Sequence, residues 1–171
     1  MIGETIHLRA LEPSDADTLF GWENDPATWG AGDRRWPVSL ADIMALISHS
    51  DLDIWQTRQA RFMVERNDGG GTAGCVDIFD FDPLNLNCSI GILTEAGSRR
   101  RGYAREAVSL ACDFAAQTLL AHNVRACVAA DNMASLALFS SVGFEECGRL
   151  REWLRRGRGF VDEVMMVKTL P

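Results

Sequence analysis

Arg99-Arg100-Arg101-Gly102-Tyr103-Ala104 stands between an apolar run, Ile90-Gly91-Ile92-Leu93, and an amphipathic stretch with apolar residues at 104, 107, 108, 111, 114 and 115. A strand, a glycine turn and a helix start in that order make an anion site. The first helical N–H groups have no acceptor within the helix, and the helix dipole adds partial positive charge there. The stretch predicts a phosphate-bearing ligand.

The remainder of the chain sets the frame for that site. Its 171 residues are 47% hydrophobic, enough for one domain spanning 1–171 with a substantial core, and no linker-like segment divides them. Five cysteines (Cys75, Cys88, Cys112, Cys127, Cys147) are spread singly, without a C-x-x-C pair, and read as reduced core residues of a cytoplasmic protein. Cys127 in particular reads as core. No apolar run approaches the roughly 20 residues that span a bilayer, so no membrane association is expected. A formal charge of −7 argues against nucleic acid and favours cationic partners. The positive charge is concentrated in two tracts, Arg99–Arg105 and Arg149–Arg158, the second reading as a solvated hairpin.

Local patterns give the order of elements. Thr5 to Arg9 reads as a strand, and Ser14-x-x-Asp17 as a capping-box variant opening a helix through Trp22. A helix over Leu40 to Ser48 follows Pro37 and Ser39, with Leu40, Ile43, Met44 and Ile47 on one face. Arg61 to Arg66 and Thr72 to Phe81 alternate as strands joined by a glycine-rich hairpin turn. A strand over Cys88 to Leu93, the arginine-glycine loop, its helix and a strand through Val124, Ala126 and Val128 imply a parallel pair. Asp131 or Asn132 caps a short helix that Gly143 stops, and Phe144 to Trp153 with Phe160 to Lys168 close the chain as a hairpin. The order fits a mixed α/β chain of the α+β class, with a largely antiparallel front half.

Neither G-x-x-x-x-G-K-[ST] nor G-x-G-x-x-G occurs, which removes the P-loop and dinucleotide-fold readings of the glycine loop. His7, His49 and His122 are isolated, and no metal site is expected.

At these residues the chain resembles the GCN5-related N-acetyltransferases (GNAT). Arg99-x-x-Gly102-x-Ala104 after a strand is similar to their motif A, and Asn132-x-x-Ser135-x-x-x-Phe139-x-x-x-Gly143-Phe144 to their motif B. The front end, Leu8-Arg9-x-Leu11-x-x-x-Asp15 and Trp22-Glu23-Asn24-Asp25-Pro26, resembles the branch with ribosomal-protein N-terminal acetyltransferases and bacterial spermidine acetyltransferases. The resemblance implies a mostly antiparallel mixed sheet flanked by helices, with one parallel pair that splays apart. It also implies an acetyl-coenzyme A-dependent transfer to a primary amine: a protein N-terminus, a polyamine or another small amine.

The resemblance places donor binding on Ile92, Leu93 and Thr94, which pair with the pantetheine arm, and on Arg99, Arg100, Arg101, Gly102, Tyr103 and Ala104 at the pyrophosphate. Gly91 is expected to mark a bulge that starts the splay. A backbone N–H near Leu93 would polarise the thioester carbonyl. Asn132 would bind the pantetheine amides, its bland reading being a helix cap; Phe139 would lie beside the sulfur, its bland reading being a core aromatic. Many relatives carry tyrosine where Phe139 stands, as general acid to the leaving thiolate. The only tyrosine here is Tyr103, which leaves Ser135, Ser140, Ser141 or water to serve.

Asp77 and Asp80 are the candidate acids on the acceptor side, with Asp77 as base, although three residues apart on a strand they face opposite ways. Glu23 and Asp25 beside Trp22 and Trp29 form a second acidic and aromatic cluster that suits a cation. Ser89 stands where polyamine acetylators often carry an acid. The departure at Phe139 motivates a rival from another class, an acyl-coenzyme A sensor without turnover. Phe160, Val161, Val164 and Met166 suit either a homodimer contact or core burial.

Overall fold

The computed structural model describes residues 1–26, 36–49 and 53–171. They form a seven-stranded sheet in the order β1-β2-β3-β4-β5-β7-β6. The strands are β1 Ile6–Arg9, β2 Ala60–Arg66, β3 Thr72–Asp82, β4 Asn87–Thr94, β5 Asn123–Ala129, β6 Glu145–Arg156 and β7 Gly159–Thr169. Every neighbouring pair is antiparallel except β4 and β5. That pair is joined through the helix α4, Tyr103–Gln117, as a parallel connection requires. The helices α1, Ala16–Glu23, and α2, Leu40–His49, are packed against each other. A single turn, α3, Ile54–Thr57, precedes β2, and α5, Met133–Ser141, follows β5.

Strand alternation divides the buried residues between the two faces. Val64, Val76, Ile78 and Ile90 meet Ala107, Val108, Ala111, Cys112 and Ala115 of α4 in one core. The row of small residues on α4 lets the helix sit close on the sheet. Met63 and Cys75 point the other way, into a second core with Leu19 of α1 and Ile43 and Ile47 of α2. The first core lies on the α4 side of the sheet and the second lies beneath the opposite face.

Several local expectations shift. The first cap lies earlier than Ser14-x-x-Asp17: the Asp15 carboxylate accepts from the Glu12 amide at 2.8 Å, and a short turn over Pro13–Asp15 leads into α1. Arg9 holds that carboxylate with two bonds of 2.8 Å, which lowers its pKa below the usual carboxylate range. In α2 the cap is Ser39, whose hydroxyl accepts from the Asp42 amide at 3.1 Å and donates to its carboxylate at 2.8 Å. Only Ile43 and Ile47 of its apolar face are buried, against α1 and the sheet; Leu40 and Met44 are exposed. Gly91 starts no bulge. Its strand keeps register with β3 from Asp77↔Gly91 through Gly74↔Thr94, and the irregularity falls on β3 between Phe79 and Asp82, where Asp80 has φ +52°. In the closing hairpin Val164 and Met166 are buried and Phe160 is exposed, so the four candidates for a dimer contact divide between core and surface.

Cys75, Cys88 and Cys112 are buried, whereas Cys127 and Cys147 are exposed. The core reading of Cys127 is therefore corrected: it stands on β5 with Arg125, on the strand face turned away from α4. Burial pushes the thiols of Cys75 and Cys88 up to about 12 and that of Cys112 up to about 11. Alkylation of the native protein at pH 8, followed by intact mass, should add two labels, at Cys127 and Cys147. Five labels should appear only after unfolding, and early labelling of Cys75 would contradict the packing.

Candidate active site

The site is built where β4 and β5 part. They pair only through Asn87↔Asn123, Cys88↔Val124 and Ser89↔Arg125, and beyond these β4 continues to Thr94 with no partner in β5. Two backbone hydrogen bonds fix which backbone groups face the gap. The Glu95 amide donates to the Ala73 carbonyl at 2.9 Å, toward β3, and the Leu86 carbonyl accepts from the His122 amide at 2.6 Å, toward β5. Alternation along an unbroken strand then turns the N–H and C=O of Ile92 and Thr94 into the gap and those of Leu93 into the β3 ladder. The donor group expected near Leu93 thus moves one residue, to Ile92. Side chains follow the same alternation, Ile92 packing with the α4 core and Leu93 with the α1/α2 core.

Both helix starts lie at the carboxyl end of this parallel pair. After β4, a short turn over Ala96–Ser98 leads to Arg99, whose Nε donates to the Thr94 carbonyl at 3.3 Å. Arg100 at φ +60° and Gly102 at φ +88° bracket Arg101, and Gly102 caps α4. Left-handed residues spaced in this way make a concave run of N–H groups suited to an anion. A Cβ on Gly102 would meet nothing within 4 Å, so glycine is required there by its backbone angle rather than by crowding within the protein. From Gly102 a groove of about 560 Å³ runs along α4, lined by Arg101, Arg105, Glu106 and Ser109 and by Ser141 of α5. The sequence reading left Arg105 and Ser109 without a role; the steps of four from Arg101 to Arg105 to Ser109 are the signal that could have found them.

After β5, Asn132 starts α5, its Oδ1 accepting from the Ser135 amide at 3.1 Å. The cap uses the carbonyl oxygen, and Nδ2 has no hydrogen-bond partner among the described residues. Cap and ligand donor are compatible in one side chain. Ser135 is half-buried one turn before Phe139 on the same side of the helix. Phe139 itself is only 3% exposed, edge-on to Phe144 with ring centroids 5.1 Å apart. It is a core ring, and the tyrosine-like position carries no proton donor.

The acids divide into two groups on the opposite face of the sheet. Asp77 receives both Nε and Nη2 of Arg61, at 2.6 and 2.9 Å, and Glu23 of α1 receives Nη1 at 2.8 Å. Strand pairing puts Arg61 directly across from Asp77, and Asp77 directly across from Gly91, which ties α1 to the gap-lining strand. Both oxygens of Asp77 are thus engaged, a connection that single-residue reading of Arg61 did not reveal. The β3 bulge changes the expectation that Asp77 and Asp80 face opposite ways, because an inserted residue resets the alternation. Asp80 then lies with Ser89 and Arg125 at the foot of the gap. Trp29 of the acidic-aromatic cluster lies outside the described residues. Among the described residues no group of three or more His, Cys, Asp or Glu side chains is arranged to hold a metal, and no helix is long and apolar enough to cross a membrane.

Comparison with known proteins bears on the family and the fold. The family profile of the acetyltransferase (GNAT) domain matches residues 5–145. The chain is 28% identical over 170 residues to the uncharacterized N-acetyltransferase p20 of Bacillus licheniformis, covering 98% of this chain and 93% of that one. It is 25% identical over 152 residues to the uncharacterized N-acetyltransferase YoaA of Bacillus subtilis, covering 88% and 85%. Among solved structures, a spermidine N-acetyltransferase from Vibrio cholerae, in complex with CoA and spermine, superposes with a TM-score of 0.87 at 22% identity, over 96% of this chain and 95% of that one.

Gly74 links the fold to this site. A Cβ there would lie 2.0 Å from the Leu93 carbonyl oxygen, so β4 must shift where it borders the gap. Gly74→Ala should cost about 1–3 kcal/mol in urea unfolding and weaken coenzyme A binding by calorimetry. Unchanged stability and affinity would contradict the geometry.

Proposed function

Because the chain belongs to the GNAT acetyltransferase family, we propose that the gap between β4 and β5 holds the arm of acetyl-coenzyme A and that the acetyl group passes directly to a primary amine. The single observation that carries this reading is the edge of β4 beyond Ser89, which has no partner strand and turns Ile92 and Thr94 to the gap, ending at a concave, arginine-flanked helix start. Backbone groups left without partners in a sheet interior are costly, and an extended chain bearing amides satisfies them as a strand would. The pyrophosphate then meets the N–H groups from Arg100 through Ala104, at the dipole-positive end of α4, with Tyr103 as its first residue. Asn132 Nδ2 supplies a further donor to the arm.

The reaction is an addition followed by an elimination. The amine nitrogen attacks the thioester carbonyl, forming the C–N bond while the carbonyl electrons move to oxygen. The Ile92 N–H stabilises that oxygen. Collapse breaks the C–S bond, the thiolate leaves, and the nitrogen loses its proton. Coenzyme A thiolate is an adequate leaving group near its thiol pKa of about 8 to 9, so protonation by water or by the Ser135 hydroxyl suffices without a tyrosine. An alkylammonium has a pKa near 10.4, and only its neutral fraction attacks. Because Asp77 has both oxygens on Arg61, its role in this scheme is to hold the Glu23–Arg61–Asp77 bridge beside the acceptor. The excess proton passes to solvent. The acceptor side carries Glu23, Asp77 and Asp80, and the net charge of −7 favours a cationic amine. The spermidine substrate of the Vibrio cholerae enzyme belongs to that chemical class.

Coenzyme A thiol release from acetyl-coenzyme A, measured across polyamines, N-terminal peptides, amino sugars and amino acids, tests this function. Turnover with at least one amine is expected, and Gly102→Val should lower kcat/KM for the donor by tenfold or more, because valine is strained at that backbone angle and crowds the pyrophosphate. Saturable donor binding with no turnover of any amine would instead favour the acyl-coenzyme A sensor. For the turned-over amine, kcat/KM should climb about tenfold per pH unit between roughly pH 7 and 9 as the neutral fraction grows. A plateau near neutrality would reveal a dedicated base.

A further inference from the structure

The foot of the gap, where Ser89 and Arg125 form its last pair, carries a charged cluster on the face turned away from α4. The bulge on β3 presents Asp80 there, at φ +52° and with a side chain 63% exposed. Ser89 is buried, and its hydroxyl lies 3.4 Å from the Asp80 carboxylate. Arg125 Nη2 donates to Ser89 Oγ at 3.0 Å and to Asp80 Oδ2 at 3.3 Å. These groups line a cavity of about 480 Å³ with Asp82, Asn87 and Asn123. Asp82 is occupied by its own turn, accepting from the Leu84 and Asn85 amides and from Asn85 Nδ2. Asp80 is therefore the carboxylate available to a ligand in this cavity, and Arg125 is the cation seated on it.

We propose that Arg125 sets acceptor selectivity by occupying, on Asp80, the place that the second ammonium of a diamine or polyamine would take, so that the chain acetylates monoamines in preference. The inference rests on the transferase reading and adds the acceptor class. Ser89 stands three residues before Ile92 on β4, about 10 Å by strand rise, a span that a triamine bridges from the reacting carbonyl to Asp80. A second ammonium arriving there meets the guanidinium instead of a free carboxylate. The pair is half exposed and long, so it works by occupancy and charge repulsion rather than as a rigid wall. Replacing Arg125 with a neutral side chain removes the like charge and frees Asp80 together.

The test compares spermidine with butylamine in the full chain, as kcat/KM with acetyl-coenzyme A and as calorimetric binding of spermidine in the presence of coenzyme A. The unaltered chain should favour butylamine, and a preference for spermidine there overturns the proposal before any variant is made. R125Q should raise both the spermidine-to-butylamine ratio and spermidine affinity about tenfold, R125K should leave both near their starting values, and D80N added to R125Q should cancel the gain. No change in either readout on R125Q overturns the proposal. Spermidine affinity gained in R125Q and lost in the double variant, with no turnover of any amine, would uphold the cation site and overturn the transferase reading.

Discussion

Strands β4 and β5 hold together only as far as Ser89 and Arg125, and the rest of the molecule is arranged around what that parting leaves undone. A sheet interior does not tolerate unpaired N–H and C=O groups without a partner or solvent, and β4 turns those of Ile92 and Thr94 to the gap, where Arg99 Nε meets the Thr94 carbonyl. The strand cannot close the gap by slipping toward β5, because its other edge is locked in continuous register with β3 from Gly91 to Thr94. Nor can β5 close it, being paired with β7 along its whole length from Asn123 to Ala129. Two well-formed ladders thus hold the gap open.

Charge is distributed across that slot with opposite signs on opposite faces. On the α4 side, the arginine loop and the starts of α4 and α5 present donors and positive potential, the requirements of a phosphorylated, amide-bearing donor. On the other side, Glu23 and Asp77 share Arg61, and Asp80 lies lower down with Arg125. Each acidic group is partly neutralised by a cation of its own, so cation recognition depends on exchange of partners as well as on net charge. In the proposed reaction the two faces meet at the Ile92 amide, which turns into the slot.

The elements that carry the proposed donor half were legible in the sequence because they depend on local pattern. Arg99 to Ala104 follow a strand and precede a helix, and Asn132 with Gly143 brackets the next one, so order and capping chemistry alone place them. The acceptor half depends on contacts distant in the chain, which local pattern does not encode. Glu23 reaches Arg61 across 38 positions, and Arg125 reaches Asp80 across 45. The one-residue move from Leu93 to Ile92 has a similar cause, since hydrogen-bond parity is set by the β3 partner rather than by the strand's own sequence. The bulge at Asp80 was hidden because an aspartate in a strand reads as an ordinary solvated position until its φ of +52° is known. Phe139 was caught between ligand and core by its motif, and packing against Phe144 places its ring in the core.

Residue-resolved amide hydrogen exchange, read by NMR with and without coenzyme A, tests whether the gap between β4 and β5 takes the donor. The Ile92 and Thr94 amides, open to the gap in the free protein, should exchange fast and become protected on binding, together with the amides from Arg100 to Ala104. The Leu93 amide, already bonded to β3, should be slow in both states. Protection of Leu93 alone, or no change along β4 while coenzyme A binds, would contradict the claim that the gap between β4 and β5 is the donor site.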